Sequence, residues 1–494
     1  MSRHCRVAIC WSATALVVGS LVAGSLALPA LGQQITGLQA AAAMEEVLVK
    51  AIAQSERSVV AIARVKRNTD DRLDLTPNLF NQLGRSAPRP GDAEFIPNEY
   101  ATGVVVAAEG LILTAHHVLR EDSDYWVTTA DRKNYKVIKI VGADPRSDLA
   151  VLAIEAVDLA PIKFGDASKL KKGHIVIALG NPYAIARDGQ VSASWGIVSN
   201  LARKDGPWPG REGQPTKPTM HQYGTLIQTD AKLNLGTSGG ALLNLKGEMV
   251  GLTVSLAAAL GYEQSAGFAL PVDETFMRAL NTLKGGGEVE YGFLGISLPP
   301  PYDMRARGKN GVMVVAVLEG TPAERYSLRN EDVITHVNGI EIHDHDELLL
   351  NVGKLAPDAS VRLTIERDGR SQVVTINELS KFWIGGKKIV TKPSPAWRGI
   401  RVDYVTASER FRDWMVQRRI DPQGAVWITE VDENSAAWKE GLRPDMMISH
   451  VGNKRVATPR DFQEAVANQT GPIKIRLTLP PNDRPVRTIE PDAS

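Results

Sequence analysis

Gly110-Leu-Ile-Leu-Thr-Ala115 is a short apolar run with a glycine in front of it and two histidines behind it. It has neighbours of the same kind on both sides. TGVVVAA (102–108) precedes it. YWVTTA (125–130), YKVIKIVGA (135–143), LAVLAI (149–154), HIVIALG (174–180), GIVSNL (196–201), LIQTDA (226–231), GALLNL (240–245), EMVGLTVSL (248–256) and AGFALP (266–271) follow. Short β-branched runs at this spacing, separated by turn residues, predict an all-β barrel or sandwich over 100–271. The Pro-containing polar stretch 203–222 reads as an inserted loop.

Upstream, SVVAIARVK (58–66) is one more strand, and LQAAAAMEEVLVKAIAQSER (38–57) is an Ala-rich helix with Val47 and Ile52 on its packing face. Between 68 and 98 the chain is polar and carries Pro77, Pro88, Pro90 and Pro97. A loop of that length is usually functional or mobile. The first residues are of another kind. Arg3 and Arg6 precede an uncharged run from Val7 to Leu31, which closes on small residues at Ala30-Leu31-Gly32 or, earlier, Ser25-Leu26-Ala27. That layout predicts a secretory signal over 1–32. Left uncleaved, 7–31 is long enough to anchor the chain in a membrane. Cys5 and Cys10, the two cysteines, lie in or beside this segment. Cleavage therefore leaves a mature chain without a thiol nucleophile or a disulfide.

Downstream, Lys284-Gly-Gly-Gly287 and Lys392-Pro-Ser-Pro395 are breaks, and a similar segment follows each. Thr321-Pro-Ala-Glu-Arg-Tyr-Ser-Leu328 lines up with Ser435-Ala-Ala-Trp-Lys-Glu-Gly-Leu442, and Ile334-Thr-His-Val337 with Ile448-Ser-His-Val451. The expected organisation is a helical segment (33–57), an all-β domain (58–284) and two copies of one smaller fold (288–382 and 396–490). His336 and His450 are then equivalent positions of a repeat. Trp397, Trp414, Trp427 and Trp438 read as packing, and His343-Asp-His-Asp346 as a polar loop ahead of a helix rather than a metal site.

Composition narrows the function. Lys and Arg (57) balance Asp and Glu (56), giving a formal net charge of +1, with no basic block. Nucleic acid is not an expected partner. A chain 43% hydrophobic and 23% charged is neither disordered nor a multi-span membrane protein. No metal and no cofactor are expected, and the lack of a G-x-x-x-x-G-K-[ST] motif disfavours ATP-driven chemistry.

Gly236-Thr237-Ser238-Gly239-Gly240 is the chemical centre. A serine hydroxyl is a weak nucleophile and needs a base and an oxyanion site. The glycine two residues before Ser238 lets the loop turn successive N–H groups toward one spot, with Gly236, Thr237 and Ser238 as the candidate oxyanion loop. The base would come from His116 or His117, directly after the strand. Asp148 heads the buried run LAVLAI, where a carboxylate needs a partner, and so is the candidate orienter. The order His, Asp, Ser is that of chymotrypsin-like enzymes.

With these residues in hand, 58–275 resembles the trypsin-like domain of the HtrA (DegP/DegQ-like) serine proteases. The stretches that carry the resemblance are Thr102-Gly103, Leu111–Val118, Ser147–Leu152, Ala178–Pro182, Ile227–Ala231, Asn234–Gly240 and Gly267–Pro271. It implies a mainly β fold, a chymotrypsin-like double barrel followed by two PDZ domains. It selects His117, which directly precedes the valine, as base, with Asp148 as orienter and Ser238 as nucleophile. It implies PDZ carboxylate-binding loops at Phe293-Leu294-Gly295-Ile296 and, more weakly, at Gly399-Ile400, where Arg398 replaces an apolar residue. Ser327 and Glu331 stand where Gly is common. The expected partners are unfolded polypeptides and, at the first PDZ domain, peptide C-termini; the expected assembly is a homotrimer or a multiple of trimers, in the periplasm. Lys232, six residues before Ser238, disfavours cleavage after Arg or Lys; the resemblance implies small or medium aliphatic residues there. The alternative function is a chaperone or PDZ scaffold with an idle protease domain.

Overall fold

The computed structural model describes residues 37–67, 99–181, 189–204, 219–254, 267–299, 311–478 and 485–491. The expected signal segment with both cysteines, the 68–98 loop and most of the 203–222 stretch lie outside the described residues.

Helix α1 (Gly37–Ser55) covers the Ala-rich stretch. From Val47 onward it belongs to the large compact unit, 47–494, where Ala51 is buried and the Ser55 hydroxyl donates to the Gly247 carbonyl at 2.8 Å. Among the described residues no helix is long and apolar enough to cross a membrane.

The strand series folds as two closed barrels. β1 (Val59–Lys66), β2 (Glu99–Ala107), β3 (Leu111–Ala115), β4 (Ser123–Thr128), β5 (Asn134–Asp144) and β6 (Leu149–Ile154) pair in the order β5-β4-β1-β2-β3-β6, and β6 closes onto β5. β7 (Ile175–Gly180), β8 (Ser192–Arg203), β9 (Leu226–Thr229), β10 (Ala241–Leu243), β11 (Met249–Val254) and β12 (Gly267–Pro271) close in the order β10-β11-β12-β9-β8-β7. β4 alternates buried and half-buried residues, as a strand with one face in a core should, whereas the continuous apolar runs of β6 and β11 are buried throughout. α2 (Glu274–Lys284) follows. The Asp273 carboxylate caps it by accepting the Phe276 N–H at 2.9 Å, and Phe276, Ala279, Leu280 and Leu283 enter the shared core.

The first repeat holds β13 (Gly292–Phe293), β14 (Ile296–Ser297), β15 (Val312–Met313), β16 (Ala316–Val317), α3 (Pro322–Arg325), β17 (Val333–Val337), β18 (Ile340–Glu341), α4 (His345–Gly353), β19 (Val361–Arg367), β20 (Arg370–Ile376) and β21 (Ser380–Lys381). β22 (Ile389–Val390) lies between the repeats. The second repeat holds β23 (Ile400–Tyr404), α5 (Phe411–Val416), β24 (Val426–Val431), α6 (Ala436–Lys439), β25 (Met447–Val451), β26 (Lys454–Arg455), α7 (Pro459–Val466), β27 (Ile473–Thr478) and β28 (Val486–Ile489). The order β15-β17-β19-β20, with β18 on β17, recurs as β24-β25-β27-β28, with β26 on β25. The same register break precedes His336 and His450. Ser327 (φ 61°) and Glu331 (φ 72°) keep left-handed turns without glycine. Asp344 of the His-Asp-His-Asp motif caps α4, and Asp344 and Asp346 both bind Lys204, at 3.2 and 2.7 Å.

Two features go beyond the sequence reading. Tyr291, at the head of the first repeat, is fully buried in the barrel core. Its hydroxyl donates to Asp144 and the Arg146 guanidinium lies 5.4 Å from its ring. Just before the break at Lys392–Pro395, β22 adds to the edge of β5, pairing Ile389 with Ala143 and Val390 with Gly142.

Candidate active site

β3 delivers the chain into a 3₁₀ turn over His116–Val118. Asp148 stands immediately before β6 with φ 55°, a left-handed conformation that Asp tolerates better than most residues. That backbone aims the carboxylate at the turn. One oxygen accepts the His117 backbone N–H at 2.9 Å, the other accepts the ring Nδ1–H at 2.8 Å, and the Asp148 carbonyl accepts the His116 N–H at 2.9 Å. Nε2 of His117 is then the nitrogen left to act as a base. His116 points elsewhere and donates from Nε2 to the Lys387 carbonyl at 3.0 Å.

Electrostatics follow from this pairing. Burial disfavours the charged imidazole of His117, but the Asp148 charge and hydrogen bond outweigh it, so its pKa lies above the usual value; Arg120 opposes the rise. Burial likewise disfavours the Asp148 carboxylate, but the facing imidazole and the two hydrogen bonds hold its pKa below the usual range.

The turn that carries Asp148 is braced from three sides. Asp144 accepts the Ser147 N–H at 2.8 Å and the Tyr291 hydroxyl. Buried His221 donates from Nε2 to the Ser147 carbonyl at 2.8 Å and accepts the Thr225 hydroxyl at Nδ1. The Met220 N–H donates to the Arg146 carbonyl at 2.8 Å.

The nucleophile loop sits at the start of the second barrel's β10, with Gly236 (φ 92°) and Gly239 (φ 86°) in left-handed conformations. A Cβ at Gly239 would lie 2.1 Å from the Thr102 carbonyl oxygen, so no other residue fits there. Thr102, fully buried on β2, ties this loop to the first barrel. Its N–H donates to the Ser238 carbonyl at 2.9 Å, and its hydroxyl donates to the Gly236 carbonyl at 2.7 Å while accepting the Asn181 N–H at 2.9 Å. The oxyanion expectation needs one correction. The Thr237 N–H and hydroxyl both turn back onto the Asn234 carbonyl, at 3.1 and 2.7 Å, so the candidate oxyanion donors are Gly236 and Ser238.

His117, Ser238 and Gly236 line one cavity of about 200 Å³, closed on the first-barrel side by Ile62, Tyr100 and Val118. The structure thus brings the three sequence candidates, from two barrels, to one place. Thr102, Asp144, His221 and Tyr291 have no part in the active site as the sequence is read. Only Thr102 leaves a signal there, as a lone hydroxyl heading the apolar run TGVVVAA.

The loop expected to receive peptide C-termini turns its carbonyls into the first repeat: Leu294 accepts from Ala323 N–H and Gly295 from Leu318 N–H, both at 2.9 Å. The Phe293 ring packs against Phe382 and against Phe411 of the second repeat. In the second repeat Gly399 accepts the Asp432 N–H at 2.8 Å and Ile400 is buried. Arg398 points inward, donating to the carbonyls of Ile489, Gln469 and Gly471.

Residues 101–252 match the trypsin-like peptidase domain family and residues 292–377 the PDZ domain family. A protein of Pseudomonas fluorescens named probable periplasmic serine endoprotease DegP-like is 30% identical over 84% of this chain and 86% of its own length. The chain belongs to the DegP-like serine endoprotease family. Another member, from Pseudomonas putida strain F1, is 30% identical over 88% of this chain and 90% of its own. The solved structure of the HtrA-type protease AlgW with decapeptide aligns with 67% of this chain and 98% of its own, at 23% identity and a TM-score of 0.49. This DegP-like chain is therefore a serine endopeptidase, with a trypsin-like domain followed by a PDZ domain.

Proposed function

We propose that the chain is an exported, periplasmic, ATP-independent endopeptidase that degrades unfolded or damaged polypeptides. Ser238 attacks the scissile carbonyl and His117 Nε2 takes its proton. The imidazolium is stabilised by Asp148 and returns the proton to the leaving amine. The N–H groups of Gly236 and Ser238 hold the oxyanion, and water hydrolyses the acyl-enzyme. The observation that carries this reading is the double grip of Asp148 on His117, on the wall of the cavity that Ser238 lines.

The Phe293–Ile296 loop receives peptide C-termini, and the second repeat, which shares the strand order of the first, is a second PDZ domain. Its Gly399-Ile400 loop is the weaker ligand site, because Arg398 is committed to three carbonyls. The assembly is a trimer or a multiple of trimers.

The test is digestion of unfolded casein without ATP, alongside Ser238→Ala. Cleavage by the wild type and none by the variant, with an unchanged circular dichroism spectrum, is the expected result. Equal cleavage by both would remove Ser238 from the mechanism. A wild type that binds casein but never cleaves it would favour a scaffold.

A further inference from the structure

The active-site cavity has a side that the triad does not explain. Its wall away from the nucleophile loop comes from the first barrel, the barrel of His117, and includes Tyr100, Val118 and Arg120. The base hands its proton to the leaving amine, so this side receives the residues that follow the scissile bond.

Two guanidinium groups line it. Arg64 is buried and committed: it pairs with Glu99, lies 3.8 Å from Asp122 and donates to the Ser123 hydroxyl. Arg120 is exposed and differs. It donates to two neutral carbonyls, those of His117 at 2.7 Å and Leu119 at 3.0 Å. Among the described residues no carboxylate pairs with it. Hydrogen bonds to carbonyls fix where the guanidinium lies without neutralising it.

Arg120 also lines a second, larger groove of about 650 Å³, walled in part by β4 and β5. The two acids there are already held. Glu121 pairs with Lys387 at 2.8 Å, and Asp124 with Arg67 and Lys136 at 2.7 and 3.2 Å. Lys139 lines the same groove. Arg120 is thus the shared wall between the reacting centre and a groove with a cationic excess.

We propose that Arg120 is a specificity-determining residue that selects an acidic side chain within the first few positions after the scissile bond. The downstream chain then continues into the basic groove. A guanidinium with a fixed stem and an unmatched charge suits a carboxylate in a planar, two-bond contact. The proposal rests on the reading of Ser238 and His117 as nucleophile and base.

The test uses quenched fluorogenic peptides that differ only in Glu, Ala or Lys at the second position after the cut, with the cut confirmed by mass spectrometry. Rates are normalised to active sites titrated with a fluorophosphonate. The wild type is expected to favour Glu over Lys in kcat/KM by roughly five- to tenfold at low salt, the combined effect of one exposed attraction gained with Glu and one repulsion met with Lys. The preference should fade at high salt. Arg120→Gln should remove it, and Arg120→Glu should reverse it toward Lys. The ratio between peptides cancels any uniform loss of rate in the variants, which a merely structural role would produce. A Glu:Lys ratio unchanged in Arg120→Glu, with Ser238 still labelled, would overturn this proposal and leave the catalytic reading standing. Failure of the wild type to label at Ser238 would overturn both.

Discussion

Replacing Thr102 by valine keeps the shape of the side chain and deletes one oxygen. That oxygen donates to the Gly236 carbonyl and accepts the Asn181 N–H, both across the barrel junction. Asn181 and Thr102 are fully buried, so the Asn181 N–H loses its partner without access to water. An unsatisfied buried group costs about 1–3 kcal/mol, and the half-buried Gly236 carbonyl adds a smaller penalty. The Gly236 carbonyl fixes the peptide plane between Gly236 and Thr237, directly before Ser238. If about 1.4–2.8 kcal/mol of the loss falls on the competent shape of this loop, kcat drops by roughly 10- to 100-fold. KM should change little, because Thr102 does not line the cavity. Thr102→Ser retains the hydroxyl and should recover most of the rate. The assay is steady-state hydrolysis of a fluorogenic peptide, with thermal unfolding as a control. Full activity in Thr102→Val, or equal damage in Thr102→Ser, would refute the idea that this hydroxyl holds the nucleophile loop.

Three more outcomes are expected. His117 must be neutral to accept the serine proton, and its pKa is raised above 6.5, so kcat/KM should fall on acidification with a midpoint above that value. Arg120→Gln removes a cation that opposes protonation and should move the midpoint further up; a downward move would contradict the assignment. His221 is buried, and burial lowers its pKa below 6.5. The unfolded chain then binds a proton that the folded chain does not, and stability is lost as pH falls through about 6.5. His221→Gln should show a smaller drop in thermal midpoint between about pH 7.5 and about pH 5.5, and an equal drop would exclude this residue as the cause. Lys381, almost fully buried, pairs with Glu288, Glu290 and Asp403 at 2.9, 3.0 and 2.7 Å. Lys381→Met should destabilise by about 3 kcal/mol, the low end for a broken buried pair because Glu290 reaches solvent. Adding Glu290→Gln should recover part of it in urea unfolding; no recovery would argue against carboxylate repulsion.

Much of this architecture is legible in the amino-acid order because it is local. The β-branched runs that form both barrels are short and evenly punctuated, and LAVLAI reads as a strand buried on both faces. The acid heading that run needs a partner, because a lone buried charge is costly, and that requirement favours Asp148 over Asp122, Asp131 and Asp144, although Asp144 is buried as well. The choice between His116 and His117 is not local. It depends on which ring meets Asp148 across the β3–β6 pair, and in the sequence only the family resemblance separates them. The rest is hidden for the same reason. Thr102 acquires its role when two barrels meet, and Tyr291 when a residue from the head of one repeat enters another domain's core. β22 is two β-branched residues between Lys388 and Thr391, too short to register as a strand until the end of β5, beyond its pairing with β4, lies beside it. Arg398 reads as damage to a binding loop, yet its guanidinium satisfies three carbonyls at the end of its own domain.

The central claim is that Ser238, activated by His117, is the nucleophile. Incubation with a fluorophosphonate, followed by peptide mass mapping, tests it directly. A single adduct on Ser238, absent in Ser238→Ala and strongly slowed in His117→Ala, is the expected result. An adduct on another serine, or labelling of Ser238 that does not depend on His117, would contradict it.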